Sequence, residues 1–123
     1  MARILIVDDT ALIRAMASDL LTAKGHAVEE AADGPPALEM IAKSGYDLVV
    51  LDIQMPGLDG FGVLAELQRR GGKQPKVLVM TDVRHGADDV AKARALGANG
   101  FLAKAALNDQ LVFRAQQLLG LPA

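Results

Sequence analysis

The chain has 123 residues, 51% of them hydrophobic, with thirteen basic against fifteen acidic side chains, a net charge of −2 and no cysteine. That length suits one domain with a proper core, the absent cysteine excludes thiol chemistry and a disulfide framework, and no basic block offers itself to nucleic acid or an anionic membrane. The first apolar run stops after four residues at Asp8-Asp9, too short for a signal peptide, and nothing approaches membrane-spanning length, so a soluble cytoplasmic protein is expected.

In chain order, Ile4-Leu5-Ile6-Val7 reads as a buried strand ended by Asp8-Asp9. The pairs Leu12-Ile13, Met16-Ala17 and Leu20-Leu21 recur every four residues, which predicts a helix with one apolar stripe, stopping at Lys24-Gly25. The segment 27–31 carries Glu29 and Glu30 and reads as a weaker strand at a sheet edge. Asp33-Gly34-Pro35-Pro36 opens a second helix, with Asp33 as its cap and the prolines in the first turn, and this helix turns Leu38 and Ile41 inward before ending near Ser44-Gly45. A third strand, Leu48-Val49-Val50-Leu51, ends at Asp52, and a turn-rich Met55-Pro56-Gly57 loop leads into a helix that buries Phe61, Leu64 and Leu67.

That helix stops at Arg69-Arg70-Gly71-Gly72. Val77-Leu78-Val79-Met80 is then a strand ended by Thr81, and an alanine-rich helix is expected over 87–96, up to Gly97. Gly100-Phe101-Leu102-Ala103 is the last strand, closed by Lys104, and a fifth helix opens at Asn108 with Leu111, Val112, Ala115, Leu118 and Leu119 inward. Short apolar runs alternating with helices imply a doubly wound α/β domain, a (βα)5 parallel sheet covered on both faces. In such sheets chemistry collects outside the carboxyl ends of the strands. Four strands therefore deliver Asp8, Asp9, Asp52, Thr81 and Lys104 to one edge.

A carboxylate can attack phosphorus and become an acyl phosphate where the developing charge is neutralised. Three crowded aspartates need a compensating cation. Mg²⁺ suits them, since it takes oxygen ligands and is commonly held by one or two carboxylates, with waters and a phosphate completing its shell. Lys104 offers a second positive charge to a phosphoryl oxygen and Thr81 a hydroxyl donor.

With these residues in place, the chain resembles the receiver domain of two-component response regulators, from Arg3 to about Leu119. The resemblance is carried by Asp8-Asp9, the run from Asp52-Ile53-Gln54-Met55-Pro56-Gly57 to Leu58-Asp59-Gly60, and Thr81, Phe101 and Lys104. It implies a flavodoxin-like fold with strand order 2-1-3-4-5. It further implies Asp52 as the phosphoacceptor, Asp9 as a direct Mg²⁺ ligand, Asp8 as a ligand through water and the Gln54 carbonyl as a backbone ligand. By the same resemblance Lys104 is the phosphoryl-binding lysine, Thr81 the hydroxyl that moves towards the phosphoryl group, and Phe101 the aromatic switch. The implied donor is a histidine kinase or phosphotransfer protein, and the implied output is a changed protein contact through the face of helix 4, strand 5 and helix 5. A single receiver domain over 1–123 is expected, without an output domain, acting as no enzyme beyond its own Mg²⁺-dependent phosphorylation and dephosphorylation.

Three departures from the family pattern stand out. Ala105 replaces the usual proline after the lysine, which predicts a trans peptide and a differently shaped loop. Asp82 follows Thr81 where small residues are usual; it either faces the phosphoryl entrance or caps the fourth helix. Gln54 and Val83 stand at the positions that tune dephosphorylation, and Val83 can neither orient water nor donate a proton. Among the remaining residues, Asp59 and Gly60 are expected to shape the loop and cap the third helix, Arg69 and Arg70 to answer its dipole, and His26 and His85 to lie on the surface.

Other functions remain open at this stage. A phosphorylation-independent adaptor accommodates Asp82 and Ala105. A small aspartyl-phosphate phosphatase needs a second carboxylate two residues after its nucleophile, where this chain has Thr10 and Gln54. A flavodoxin-like FMN binder needs a first loop that welcomes phosphate, which Asp8-Asp9 would repel.

Overall fold

The computed structural model describes residues 1–81 and 86–122; Asp82, Val83 and His85 fall outside the described residues. Five parallel strands, β1 (Arg3–Val7), β2 (Ala27–Ala31), β3 (Leu48–Asp52), β4 (Lys76–Thr81) and β5 (Gly100–Ala103), form one sheet in the order 2-1-3-4-5. The helices α1 (Ala11–Thr22), α2 (Gly34–Lys43), α3 (Gly60–Arg70), α4 (Gly86–Ala95) and α5 (Leu107–Leu119) alternate with them. Period-two alternation divides the apolar strand residues between two cores. Leu5, Val7, Val49, Leu51 and Val79 meet the α2–α3 side, where Leu38, Val63 and Leu64 are buried. Ile4, Ile6, Val50, Leu78 and Met80 meet Ala17 and Leu21 of α1 and Leu111 and Ala115 of α5. Helices cover both faces, so polar groups carried by the central strands meet solvent at the strand ends.

The expected elements all form, and β2 and β5 are the two edges. Glu29 and Glu30 keep the β2 edge polar and are held there by ion pairs to Arg3 at 3.2 Å and Arg14 at 3.3 Å. Asp59 caps α3 as expected, its Oδ1 accepting from the Gly62 N–H at 3.0 Å. Asp33 stands at the start of α2, but its side chain makes no capping hydrogen bond. Arg69 and Arg70 both pair with Glu66, and Arg70 also donates to the Leu38 carbonyl, tying α3 to α2.

Two expectations are corrected. Leu12 is 67% exposed, because the register of α1 buries Ala17 and Leu21 and leaves the first turn standing clear of the sheet. His26 is buried rather than on the surface. Its Nδ1 accepts from the Ala2 N–H at 3.1 Å and its Nε2 lies 2.7 Å from Gln116 Oε1, joining the start of β1 to α5.

Candidate functional site

The strand register builds the site. Val7 pairs with Leu51 across β1 and β3, so the next residues, Asp8 and Asp52, emerge side by side. On the other flank Asp52 pairs with Met80, and Thr81 pairs with Ala103, which delivers Thr81 and Lys104 to the same edge. Asp8, Asp9 and Asp52 each place a carboxylate oxygen within 4.8 Å of the others; Asp8 and Asp52 are buried and Asp9 is exposed.

Lys104 bridges this cluster. Its Nζ lies 2.9 Å from Asp52 Oδ2 and 3.1 Å from Asp8 Oδ2. The lysine sits on a single 3₁₀ turn, Lys104–Ala106, between β5 and α5, and among the described residues no peptide bond is cis. The loop with Ala105 in place of proline thus aims the ammonium at the carboxylates. The other oxygen of each aspartate is spoken for locally: Asp8 Oδ1 accepts from the Thr10 N–H at 2.8 Å, and Asp52 Oδ1 from the Gln54 N–H at 2.9 Å. Apart from the ammonium, neither Oδ2 atom has a hydrogen-bond partner among the described residues. Two buried, otherwise unpartnered carboxylate oxygens beside a third, exposed carboxylate are a donor set able to hold a divalent cation.

Burial pushes the Asp52 carboxyl up to about 6, and the neighbouring Asp8 charge adds to the rise, while the Gln54 N–H and the Lys104 ammonium pull the other way. Burial also works against the Lys104 ammonium, but the two carboxylates together outweigh it and hold its pKa above the ordinary lysine value. Asp52 is therefore mostly ionised at neutral pH and Lys104 remains a cation.

Other residues surround this centre. Thr81 is buried at the end of β4, and its hydroxyl lies 3.5 Å from the Leu102 carbonyl of β5. The Gln54 backbone meets Asp52, whereas its side chain is exposed. Phe101, on β5, is half-buried against the core on the α3–α4 side. Gly60 lets α3 approach the site, since a Cβ there would lie 2.5 Å from both the Asp52 carbonyl oxygen and Ile53 Cα. Arg14 is the residue that the sequence reading missed. Its guanidinium donates to the Asp8 carbonyl at 2.7 Å and pairs with Glu30, fixing the acidic loop to the edge strand. Its signal was present, as Arg14 is the one cation within α1. Cavities of about 420 and 350 Å³ open at the opposite end of the sheet, beside Asp47, and neither touches the carboxylates.

The family profile described as the response regulator receiver domain matches residues 4–116. The chain is a response regulator receiver domain. It is 38% identical over 116 residues to the transcriptional regulatory protein TcrA of Mycobacterium tuberculosis, covering 94% of this chain and 45% of that protein. It is 41% identical over 104 residues to a protein-glutamate methylesterase/protein-glutamine glutaminase of Symbiobacterium thermophilum, covering 83% of this chain but 28% of the relative. The receiver thus spans less than half the length of these two relatives. Among solved structures, the chemotaxis protein CheY4 of Vibrio cholerae is 31% identical with a TM-score of 0.85, over 97% of this chain and 98% of that one. NtrX of Brucella abortus is 31% identical with a TM-score of 0.87, over 97% of this chain and 27% of that one.

Proposed function

We propose that this receiver is a phosphorylation-dependent signalling switch in which Asp52 accepts a phosphoryl group from a histidine kinase or phosphotransfer protein. The observation that carries the reading is the Lys104 ammonium held between Asp52 and Asp8 at the mouth of a three-carboxylate cluster. An Asp52 oxygen attacks phosphorus, the bond from phosphorus to the donor nitrogen breaks, and the electron pair leaves with the imidazole. Lys104 then shifts from neutralising the carboxylates to pairing with a phosphoryl oxygen. Asp8, Asp9, Asp52 and the Gln54 carbonyl would hold Mg²⁺, which offsets charge on the transferring oxygens when bound. The exposed Asp9 at the strand ends leaves the cluster open to a protein that carries the phosphoryl group to the surface.

Thr81 has a donor to offer the new group on releasing the Leu102 carbonyl, and Phe101 then takes the vacated space. The consequence is a remodelled α4–β5–α5 face, through which a downstream protein is recognised. Gln54 stands two residues after Asp52, where a small aspartyl-phosphate phosphatase needs a second carboxylate, which favours the switch over that enzyme. Intact-mass spectrometry after incubation with acetyl phosphate and Mg²⁺ tests the assignment. One phosphoryl adduct is expected on the wild type and none on Asp52→Asn or in the presence of EDTA; equal labelling of Asp52→Asn would overturn it.

A further inference from the structure

Helix α4 is weakly anchored compared with its neighbours. Each other helix but α2 buries at least one leucine completely or nearly so, whereas Ala93 is the one buried residue of α4 among those described. Two cations flank that alanine. Lys92 Nζ lies 4.3 Å from the centre of the Phe61 ring on α3, and Arg94 Cζ lies 5.0 Å from the centre of the Phe101 ring on β5. Both distances fall within the reach of a cation–π attraction, about 6 Å. Residues two apart on a helix point about 200° from one another, so Lys92 and Arg94 splay to either side of Ala93 and reach opposite neighbours.

We propose that Lys92 and Arg94 are positioning residues of the switch: together they clasp α4 onto the rings of Phe61 and Phe101, and Arg94 sets the resting rotamer of Phe101. This deepens the reading of the domain as a switch and rests on it. A Phe101 ring that leaves its present position also leaves the guanidinium, so the contact favours the position seen in the unphosphorylated protein. For a contact at this exposure the bias is about two- to fivefold in the rotamer equilibrium. The same contact gives a rotamer change on β5 a direct route to α4.

Fluorine NMR of protein labelled with 3-fluorophenylalanine reads the clasp without any phosphoryl group, since the chain has three phenylalanines, Phe61, Phe101 and Phe113. Arg94→Met should move the Phe101 resonance and raise amide exchange in α4 about two- to fivefold, while leaving Phe61 in place. Lys92→Met should move Phe61 instead, and Arg94→Lys, which keeps a cation, should restore most of the Phe101 position. A Phe101 resonance unmoved by Arg94→Met, or moved equally by Lys92→Met, overturns the proposal. Acetyl-phosphate labelling of Asp52 is read separately by mass. A wild type that fails to label while the fluorine shifts appear refutes the phosphoacceptor and keeps the clasp; normal labelling with an unmoved Phe101 refutes the clasp alone.

Discussion

The raised Asp52 pKa means that ionising this buried carboxyl is costly in the folded protein, and this has a measurable consequence for stability. A carboxyl lifted from 3.8 to about 6 keeps a proton in the folded protein that the unfolded chain has already lost. Stability therefore falls as pH climbs through that window, and the full penalty is present above about 6. At about 1.36 kcal/mol per pH unit the rise corresponds to about 3 kcal/mol, an upper figure that relaxation around the exposed Asp9 edge reduces to about 1–2 kcal/mol. Asp52→Asn keeps the shape and the acceptor for the Gln54 N–H but removes the charge. In EDTA at pH 7.5 the variant should be more stable by that amount, or roughly 4–8 °C in melting temperature for a domain of this size. Its advantage should vanish below about pH 4, where both proteins are neutral at this position, and should shrink when Mg²⁺ supplies the missing positive charge. Urea titrations of both proteins at pH 4, 5, 6 and 7.5 measure it. A variant no more stable than the wild type at pH 7.5, or an advantage that does not change with pH, would refute the argument.

Lys104→Met keeps the length of the side chain but strips the cation from two buried carboxylates. In EDTA it should destabilise the fold by about 1–3 kcal/mol, less than a fully enclosed pair because the lysine is partly exposed, and slow acetyl-phosphate labelling by tenfold or more; chemical denaturation and mass labelling read the two effects. His26→Leu leaves the Ala2 N–H without its acceptor and Gln116 Oε1 without its partner, and should cost about 1–3 kcal/mol in urea while leaving the labelling rate within twofold of the wild type.

The sequence revealed the fold and the centre of the site for one physical reason. Strands buried on both faces must be apolar along their whole length, so a polar residue marks the end where the sheet meets solvent. Asp8, Asp52, Thr81 and Lys104 each close such a run, and parallel pairing brings like ends together. What stayed hidden depends on contacts between residues far apart in the chain. Nothing local distinguishes a surface histidine from His26, whose partners are 24 and 90 residues away. Leu12 fits the apolar period of α1 as well as Leu21 does; only the place where the helix meets the sheet exposes one and buries the other.

The parts that chemistry requires and the parts that regulate it are therefore legible to different degrees. The carboxylate cluster and its lysine converge at strand ends, so their spacing along the chain is constrained by the sheet itself. Arg14, which holds the Asp8 carbonyl, and Arg94, which covers Phe101, act from helix surfaces where any of several turns would present a cation. Their sequence signal is no more than a basic residue in an amphipathic helix. Substituting Arg14 or Arg94 should therefore disturb contacts made from helix surfaces while leaving the Lys104 bridge between Asp8 and Asp52 in place, which the labelling and fluorine measurements above read separately.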